Sequence, residues 1–341
     1  MKTKNLKLTA DNREEILKEA GEVILSGGLV VFPTETVYGL GANALNESAV
    51  QKIFLAKGRP SDNPIILHIG DESWLDDLVE SVSGTQQKLI DAFWPGPLTL
   101  IFKKKENVSS IVSGGLDTIA IRMPKNSFAL DLLKKVGVPI GAPSANISGK
   151  PSATDANTAF ADLSGQVSLI VDDGFSNIGL ESTVVKEDNE NILILRAGSV
   201  TKEMIEGVVS KPVFFATKKE DLNSSPGTKY RHYAPKAKLQ IIAGDSENIG
   251  ENLLKIANEN LKNGIRVGIL GTVENMNIYK GFEPNVFSLG SKNDMLQISR
   301  NVYRGLRFFD DKDVDLILVE AFEEKDLGVA VMDRFKKASA V

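Results

Sequence analysis

At 341 residues the chain is long enough for about two domains, and 42% hydrophobic with 25% charged residues is a globular balance that excludes a disordered or fibrous chain. It has no cysteine and only His68 and His232, which excludes a disulfide scaffold, a zinc ribbon, an iron–sulfur cluster, a thiol nucleophile and a multi-histidine metal site. The formal charge of −5 argues against a surface built to hold nucleic acid without sequence preference, and the absence of a signal core or membrane-length apolar run predicts a soluble, cytoplasmic protein.

From 11 to 26 the apolar residues Ile16, Leu17, Ala20, Val23 and Ile24 fall on one helical face, and Gly27-Gly28 stops the helix. Leu29 to Phe32 reads as a buried strand that runs into a loop, PTETVYGLG (33–41). Ser48 is the predicted N-cap of a helix over 49–57, followed by a strand at Ile65–Ile69. A helix near 85–94 ends at WPGP (94–97), where two prolines forbid continuation. Leu98–Phe102 and Thr118–Arg122 are predicted to pair, and a helix near 127–136 leads to VPIGAPSANISGKPS (138–152). Strands at Leu169–Val171, Ser182–Val185 and Ile192–Arg196 complete a mixed sheet, too irregular in order for a simple doubly wound one. These elements predict a first α/β domain over 10–205. Residues 216–236 break every periodicity and hold five basic residues and two tyrosines among prolines, so a linker or flap is predicted over 206–236. Strands at Leu239–Ala243, Val267–Leu270, Val286–Leu289 and Ile317–Val319 then alternate with helices at 249–263, 295–309 and 327–338. That alternation predicts a small parallel-sheet, Rossmann-like domain over 237–341.

No phosphate loop, dinucleotide fingerprint, nucleophile elbow or Ser-His-Asp set is present: Gly141 to Lys150 has the wrong glycine spacing and Pro151 where a hydroxyl belongs. Three polar segments stand out instead. PTETVYGLG reads either as a binding loop at a sheet edge or as an ordinary turn. In KGRPSDNP (57–64), Lys57 and Arg59 flank a glycine at a helix C-terminus, where the macrodipole already favours cations. The irregular backbone after them also displays amide donors, a combination that suits a polyphosphate. In APSANISGKPS (142–152), Ser144, Asn146, Ser148 and Ser152 allow close approach of a phosphate or ribose, or form a solvated loop. Thr118 and Arg122 share one face of a strand, and an arginine inside IleAlaIleArgMet needs an anion, whether a ligand or a structural ion pair. His68, in IleIleLeuHisIle, reads more readily as a satisfied core histidine than as a ligand contact.

Taken together, the ordered segments PTETVYGLG, KGRPSDNPIILHI, WPGPLTLIF, TIAIRMP, APSANISGKPS and ESTVV resemble the YrdC-like family across the first domain. The pair KxR and SxN (Lys57/Arg59 and Ser144/Asn146) is that family's signature. With SPGTKYRHYAP (225–235) and the α/β tail, nearly the whole chain resembles the long, two-domain threonylcarbamoyl-AMP synthases. The resemblance implies a YrdC-like α/β domain with a twisted mixed sheet. It also implies an enzyme that joins L-threonine, bicarbonate or CO2, and ATP into L-threonylcarbamoyladenylate with release of pyrophosphate. A downstream transferase then passes the group to the adenosine beside the anticodon, so tRNA is met only indirectly. Carried over by motif, threonine should meet Thr36, His68, Arg122, the backbone at Ala142, and Ser182. ATP should meet Arg59, Asn63, Thr118, Ser144, Asn146, Ser152, Arg196 and Tyr233. Lys57 and Arg59 act as the catalytic cations near the phosphates, and Mg2+ arrives with ATP. Arg122 suits a bidentate grip on the threonine carboxylate. Tyr233 is expected to close as a lid, so its removal should leave the melting temperature nearly unchanged.

Two rival readings fare worse. A duplex-RNA module needs a continuous basic face, whereas Lys103-Lys104-Lys105 is a local run. The hydrogenase-maturation carbamoyl transferase that contains a YrdC-like domain resembles a longer chain with zinc fingers, which a chain without cysteine lacks. A purely structural role for the C-terminal domain stays open.

Overall fold

The computed structural model describes residues 2–226, 233–244 and 248–339; Lys229, Tyr230, Arg231 and His232 of the expected flap lie outside the described residues. The chain forms two compact units, one of Met1–Ser148, Ser152–Asn177 and Glu181–Tyr230, the other of Gly149–Pro151, Ile178–Leu180 and Arg231–Val341.

The first unit runs β1 (Lys4–Lys7), α1 (Arg13–Leu25), β2 (Val30–Phe32), β3 (Gly39–Asn43), α2 (Glu47–Lys57), β4 (Ile66–His68), α3 (Leu75–Leu78), α4 (Gly84–Phe93) and β5 (Leu98–Lys103). It continues through α5 (Ser110–Ser113), β6 (Thr118–Arg122), α6 (Ser127–Val136), β7 (Ile140–Gly141), α7 (Ala156–Leu163), β8 (Leu169–Asp172) and β9 (Thr183–Asp188). Last come β10 (Asn191–Arg196), α8 (Lys202–Glu206), β11 (Val213–Phe215) and α9 (Lys219–Asn223). Among the described residues its strands form one mixed sheet in the order β1-β8-β2-β3-β7-β4-β6-β5-β9-β10-β11. The expected pairing of β5 with β6 is present and antiparallel. Strand alternation divides the core between the two faces. Val30, Phe32, Leu169 and Val171 pack with Ile16, Leu17 and Ile24 of α1 and Phe128, Leu132 and Leu133 of α6. Val31 and Ile170 point the other way, into a second apolar layer with Ile53, Leu89, Ile90 and Phe102.

Several local expectations change. Asn46, not Ser48, caps α2: its backbone is extended and its side chain accepts the Ala49 N–H, whereas Ser48 already lies inside the first turn. The last three residues of the expected loop 33–41 instead begin β3, which pairs antiparallel with β2. Gly41 within it is set by packing: a Cβ there would meet Phe32 at 2.7 Å and Ile140 at 2.9 Å. β1 is a strand without an apolar pattern, held by parallel pairing to β8. The sheet also runs past residue 205, because β11 pairs parallel with β10.

The second unit contains β12 (Lys238–Ile242), α10 (Ile249–Lys262), β13 (Val267–Thr272), β14 (Val286–Gly290), α11 (Met295–Phe308), β15 (Leu316–Glu320) and α12 (Leu327–Ser339). Its strands are parallel in the order β12-β15-β13-β14. Ile298, Val302 and Leu306 of α11 are buried, as their helical spacing requires. No described helix is long and apolar enough to cross a membrane.

Candidate active site

Strand order assembles the site. β4, β6, β5 and β9 are neighbours, so His68 at the end of β4 stands opposite Arg122 at the end of β6. Thr99 follows on β5, and its hydroxyl lies 2.7 Å from that of Ser182. Four residues distant in sequence thus lie along one end of the sheet. Arg122 is 3% exposed, and a guanidinium so buried must find partners. Its Nε donates to the Gly96 carbonyl at 3.1 Å and its Nη1 to the Thr36 hydroxyl at 2.8 Å. Its Nη2 lies 2.6 Å from Glu35 Oε1, an ion pair whose angle is not that of a hydrogen bond. The anion that Arg122 demanded is therefore supplied by the chain, from within PTETVYGLG. Glu35 was missed by sequence reasoning; the only signal was a carboxylate between two threonines in a segment otherwise built for burial.

His68 is buried with its ring edge-on to Phe32. Burial first, and then the charge of Arg122, push its pKa down to about 3, so the ring is neutral near pH 7. Its Nδ1 has no hydrogen-bond partner, and neither has Asn63 Oδ1 or Glu35 Oε2. Buried polar atoms left without a partner are costly, and a ligand with its own donors and acceptors would relieve them.

The signature residues form a second cluster. Lys57 ends α2, where Gly58 takes the left-handed conformation. The Lys57 ammonium donates to the carbonyls of Ser144, at 2.5 Å, and of Asn146, while Ser148 N–H donates to the Lys57 carbonyl. Ser144 Oγ in turn donates to Asn146 Oδ1 at 2.6 Å. The Lys57 ammonium thus clasps the SxN loop from the end of α2. Arg59 folds back on its own segment, donating to the carbonyls of Pro64 at 2.8 Å and Asn63 at 3.4 Å.

The remaining expected residues are placed as follows. Arg196 Nε and Nη2 donate to the Ser182 carbonyl and hydroxyl, both at 3.1 Å, and its Nη1 donates to the Pro226 carbonyl. Ser152 donates to the buried Glu181 at 2.6 Å. Ala142 spends its N–H on the Ile66 carbonyl, so a ligand contact at its backbone would use the carbonyl. Thr118 opens β6, roughly 13 Å of extended chain from Arg122, so these two cannot grip the same small group. Tyr233 belongs to the second unit and is 3% exposed there, its ring centroid 5.2 Å from that of Tyr303 and 5.5 Å from Arg334 Cζ. Its replacement by alanine should therefore destabilise the chain, contrary to the expectation of an unchanged melting temperature. Among the described residues no group of three or more His, Cys, Asp or Glu could hold a metal ion.

A buried arginine and carboxylate thus stand beside a neutral histidine and hydroxyls at one end of a mixed α/β sheet. The sequence matches the Sua5/YciO/YrdC family, which carries the description "Telomere recombination", over residues 22–198, and the threonylcarbamoyl-AMP synthase C-terminal domain over 200–340. The chain belongs to this family, in the long form that carries both domains. The threonylcarbamoyl-AMP synthase of Pyrococcus abyssi is 43% identical over 327 residues, which is 95% of this chain and 94% of that protein. The threonylcarbamoyl-AMP synthase of Bacillus subtilis is 44% identical over 327 residues, 95% of this chain and 92% of its own. The crystal structure of P. abyssi Sua5 complexed with L-threonine is similar with a TM-score of 0.91 at 42% identity, covering 99% of this chain and 98% of that one.

Proposed function

We propose that the chain makes L-threonylcarbamoyladenylate and pyrophosphate from L-threonine, bicarbonate or CO2, and ATP. The observation that carries this reading is the buried Arg122, fixed by Gly96, Thr36 and Glu35 beside a neutral His68, in a chain similar throughout to a protein solved with L-threonine. Arg122 receives the threonine carboxylate, with Thr36, His68, the Ala142 backbone and Ser182 completing the pocket. The threonine amine, once unprotonated, captures CO2 as a carbamate. A carbamate oxygen then bonds to the α-phosphorus of ATP as the bond to the pyrophosphate oxygen breaks. Neither step needs a covalent bond to the protein, in keeping with a chain that has no cysteine. Arg59, Asn63, Thr118, Ser144, Asn146, Ser152 and Arg196 hold ATP. Arg59 neutralises phosphate charge, and Lys57 sets the loop that presents Ser144 and Asn146. Mg2+ bound to the ATP phosphates supplies further charge neutralisation. The product serves a cytoplasmic transferase that modifies tRNA beside the anticodon, and this chain needs no tRNA contact of its own.

The test is incubation with ATP, threonine and bicarbonate, with pyrophosphate and adenylate both quantified. Omitting threonine or bicarbonate should abolish pyrophosphate release. Release independent of both would refute the reading.

A further inference from the structure

Glu35 is a buried carboxylate to which the proposed reaction gives no work. Its side chain is 9% exposed, and Oε1 takes both the Arg122 ion pair at 2.6 Å and the Lys125 N–H at 3.1 Å. Oε2 is buried and has no hydrogen-bond partner. A charged oxygen in that condition is costly unless something brings it a donor. Glu35 also lines a polar cavity with Thr34, Asn126, Asp173 and Ser176, on a side of the carboxylate that Arg122 does not line.

Charge balance says which group fits. His68 is neutral, so Arg122 and Glu35 are one cation and one anion in contact, and the pair carries no net charge. A simple carboxylate added to Arg122 would leave an unmatched buried anion. A zwitterion adds one charge of each sign and leaves the site balanced. The two charges of an α-amino acid are joined through a single carbon, and Arg122 and Glu35 stand in contact, so one small molecule can meet both.

We infer that Glu35 receives the α-ammonium of the substrate and thereby restricts the Arg122 site to α-amino acids, rejecting the matching carboxylates that lack the amine. This rests on the reading of Arg122 as the carboxylate receptor. Glu35 is a specificity-determining residue in this role, and it also holds Arg122 in place.

The experiment is calorimetric titration of the full chain with L-threonine and with 3-hydroxybutyrate, which keeps the carboxylate and the hydroxyl but lacks the amine. The wild-type chain should prefer L-threonine by at least about 100-fold, because a site built around a buried acceptor rejects the analogue without the donor. Glu35→Gln should shrink that preference to within about fivefold, mostly by losing threonine, while Glu35→Asp should keep most of it. Wild-type affinities within about fivefold of each other would overturn the inference even if no variant folds. So would a folded Glu35→Gln variant that loses both ligands equally, since that is the signature of a residue that only positions Arg122. Failure of the wild-type chain to bind either ligand would overturn the Arg122 reading first, and this inference with it.

Discussion

Two buried carboxylates, one in each unit, show how differently the same chemistry can be used. Glu320 ends β15 in the second unit, and all its oxygens are engaged. Its Oε1 accepts from Thr272 N–H at 3.1 Å and Tyr279 OH at 2.9 Å, and its Oε2 accepts from the Thr272 hydroxyl at 2.9 Å. Burial and this anion together hold the Tyr279 hydroxyl above the usual phenol range. Glu320 joins the ends of β13 and β15 and asks nothing of a ligand. Glu35 in the first unit is paired through one oxygen and unpartnered at the other. A completed donor set marks a structural carboxylate; an incomplete one marks a place prepared for something else.

The largest expected effect comes from breaking the Arg122–Glu35 pair. Arg122→Ala strands Glu35 as an unpaired buried charge, which should cost about 3–5 kcal/mol of stability in denaturant titrations. In folded molecules threonine binding should weaken by about 2–4 kcal/mol while ATP affinity changes much less. The double variant Arg122→Met with Glu35→Gln removes both charges and should recover most of the stability without recovering threonine binding. Equal loss of both substrates from a folded Arg122→Ala variant would instead make the pair a structural ion pair, like the Glu320 cluster.

Next in size is Glu320→Ala. It leaves the Tyr279 hydroxyl and two Thr272 donors unanswered, for a loss of about 3 kcal/mol in stability. Pyrophosphate release per folded molecule, measured well below the melting temperature, should be unchanged. A large fall in that rate would erase the contrast between the two carboxylates.

The neutral His68 sharpens the comparison through pH. An unfolded histidine has a pKa of about 6.5, whereas burial and Arg122 push His68 in the folded chain down to about 3. Between these values protons bind the unfolded chain preferentially, so stability falls as pH drops below about 6.5, by up to about 1.4 kcal/mol per pH unit from this residue. His68→Gln cannot titrate and should flatten the profile by that amount between about pH 4 and 6. Identical slopes for the two proteins would show that the ring takes up its proton in the folded state.

The smallest effect is at the start of α2. Asn46→Ala should cost about 1 kcal/mol and Ser48→Ala less than about 0.5 kcal/mol in thermal or chemical denaturation. The reverse order would return the cap to Ser48.

Much of this molecule follows from local rules that a chain states residue by residue. The apolar spacing of α1 and α6, the prolines that close α4, the β5–β6 hairpin and the βαβ alternation of the second unit are each legible, because burial periodicity and backbone sterics act over a few residues. The polar segments at 33–41, 57–64 and 142–152 are conspicuous for the same reason. Which polar group meets which is another matter. A single glutamate in PTETVYGLG gives no hint that it will face Arg122 across 87 residues of chain, because that meeting depends on β3, β7, β4 and β6 being successive neighbours in the sheet. Lys57 likewise gives no hint in the sequence that its ammonium will hold two carbonyls of the SxN loop. β1 carries too little apolar pattern to declare itself and exists through pairing to β8. Local sterics and periodicity were written in the sequence; partners for buried charge were decided by long-range strand order, since no spacing along the chain encodes a contact made only when the sheet closes.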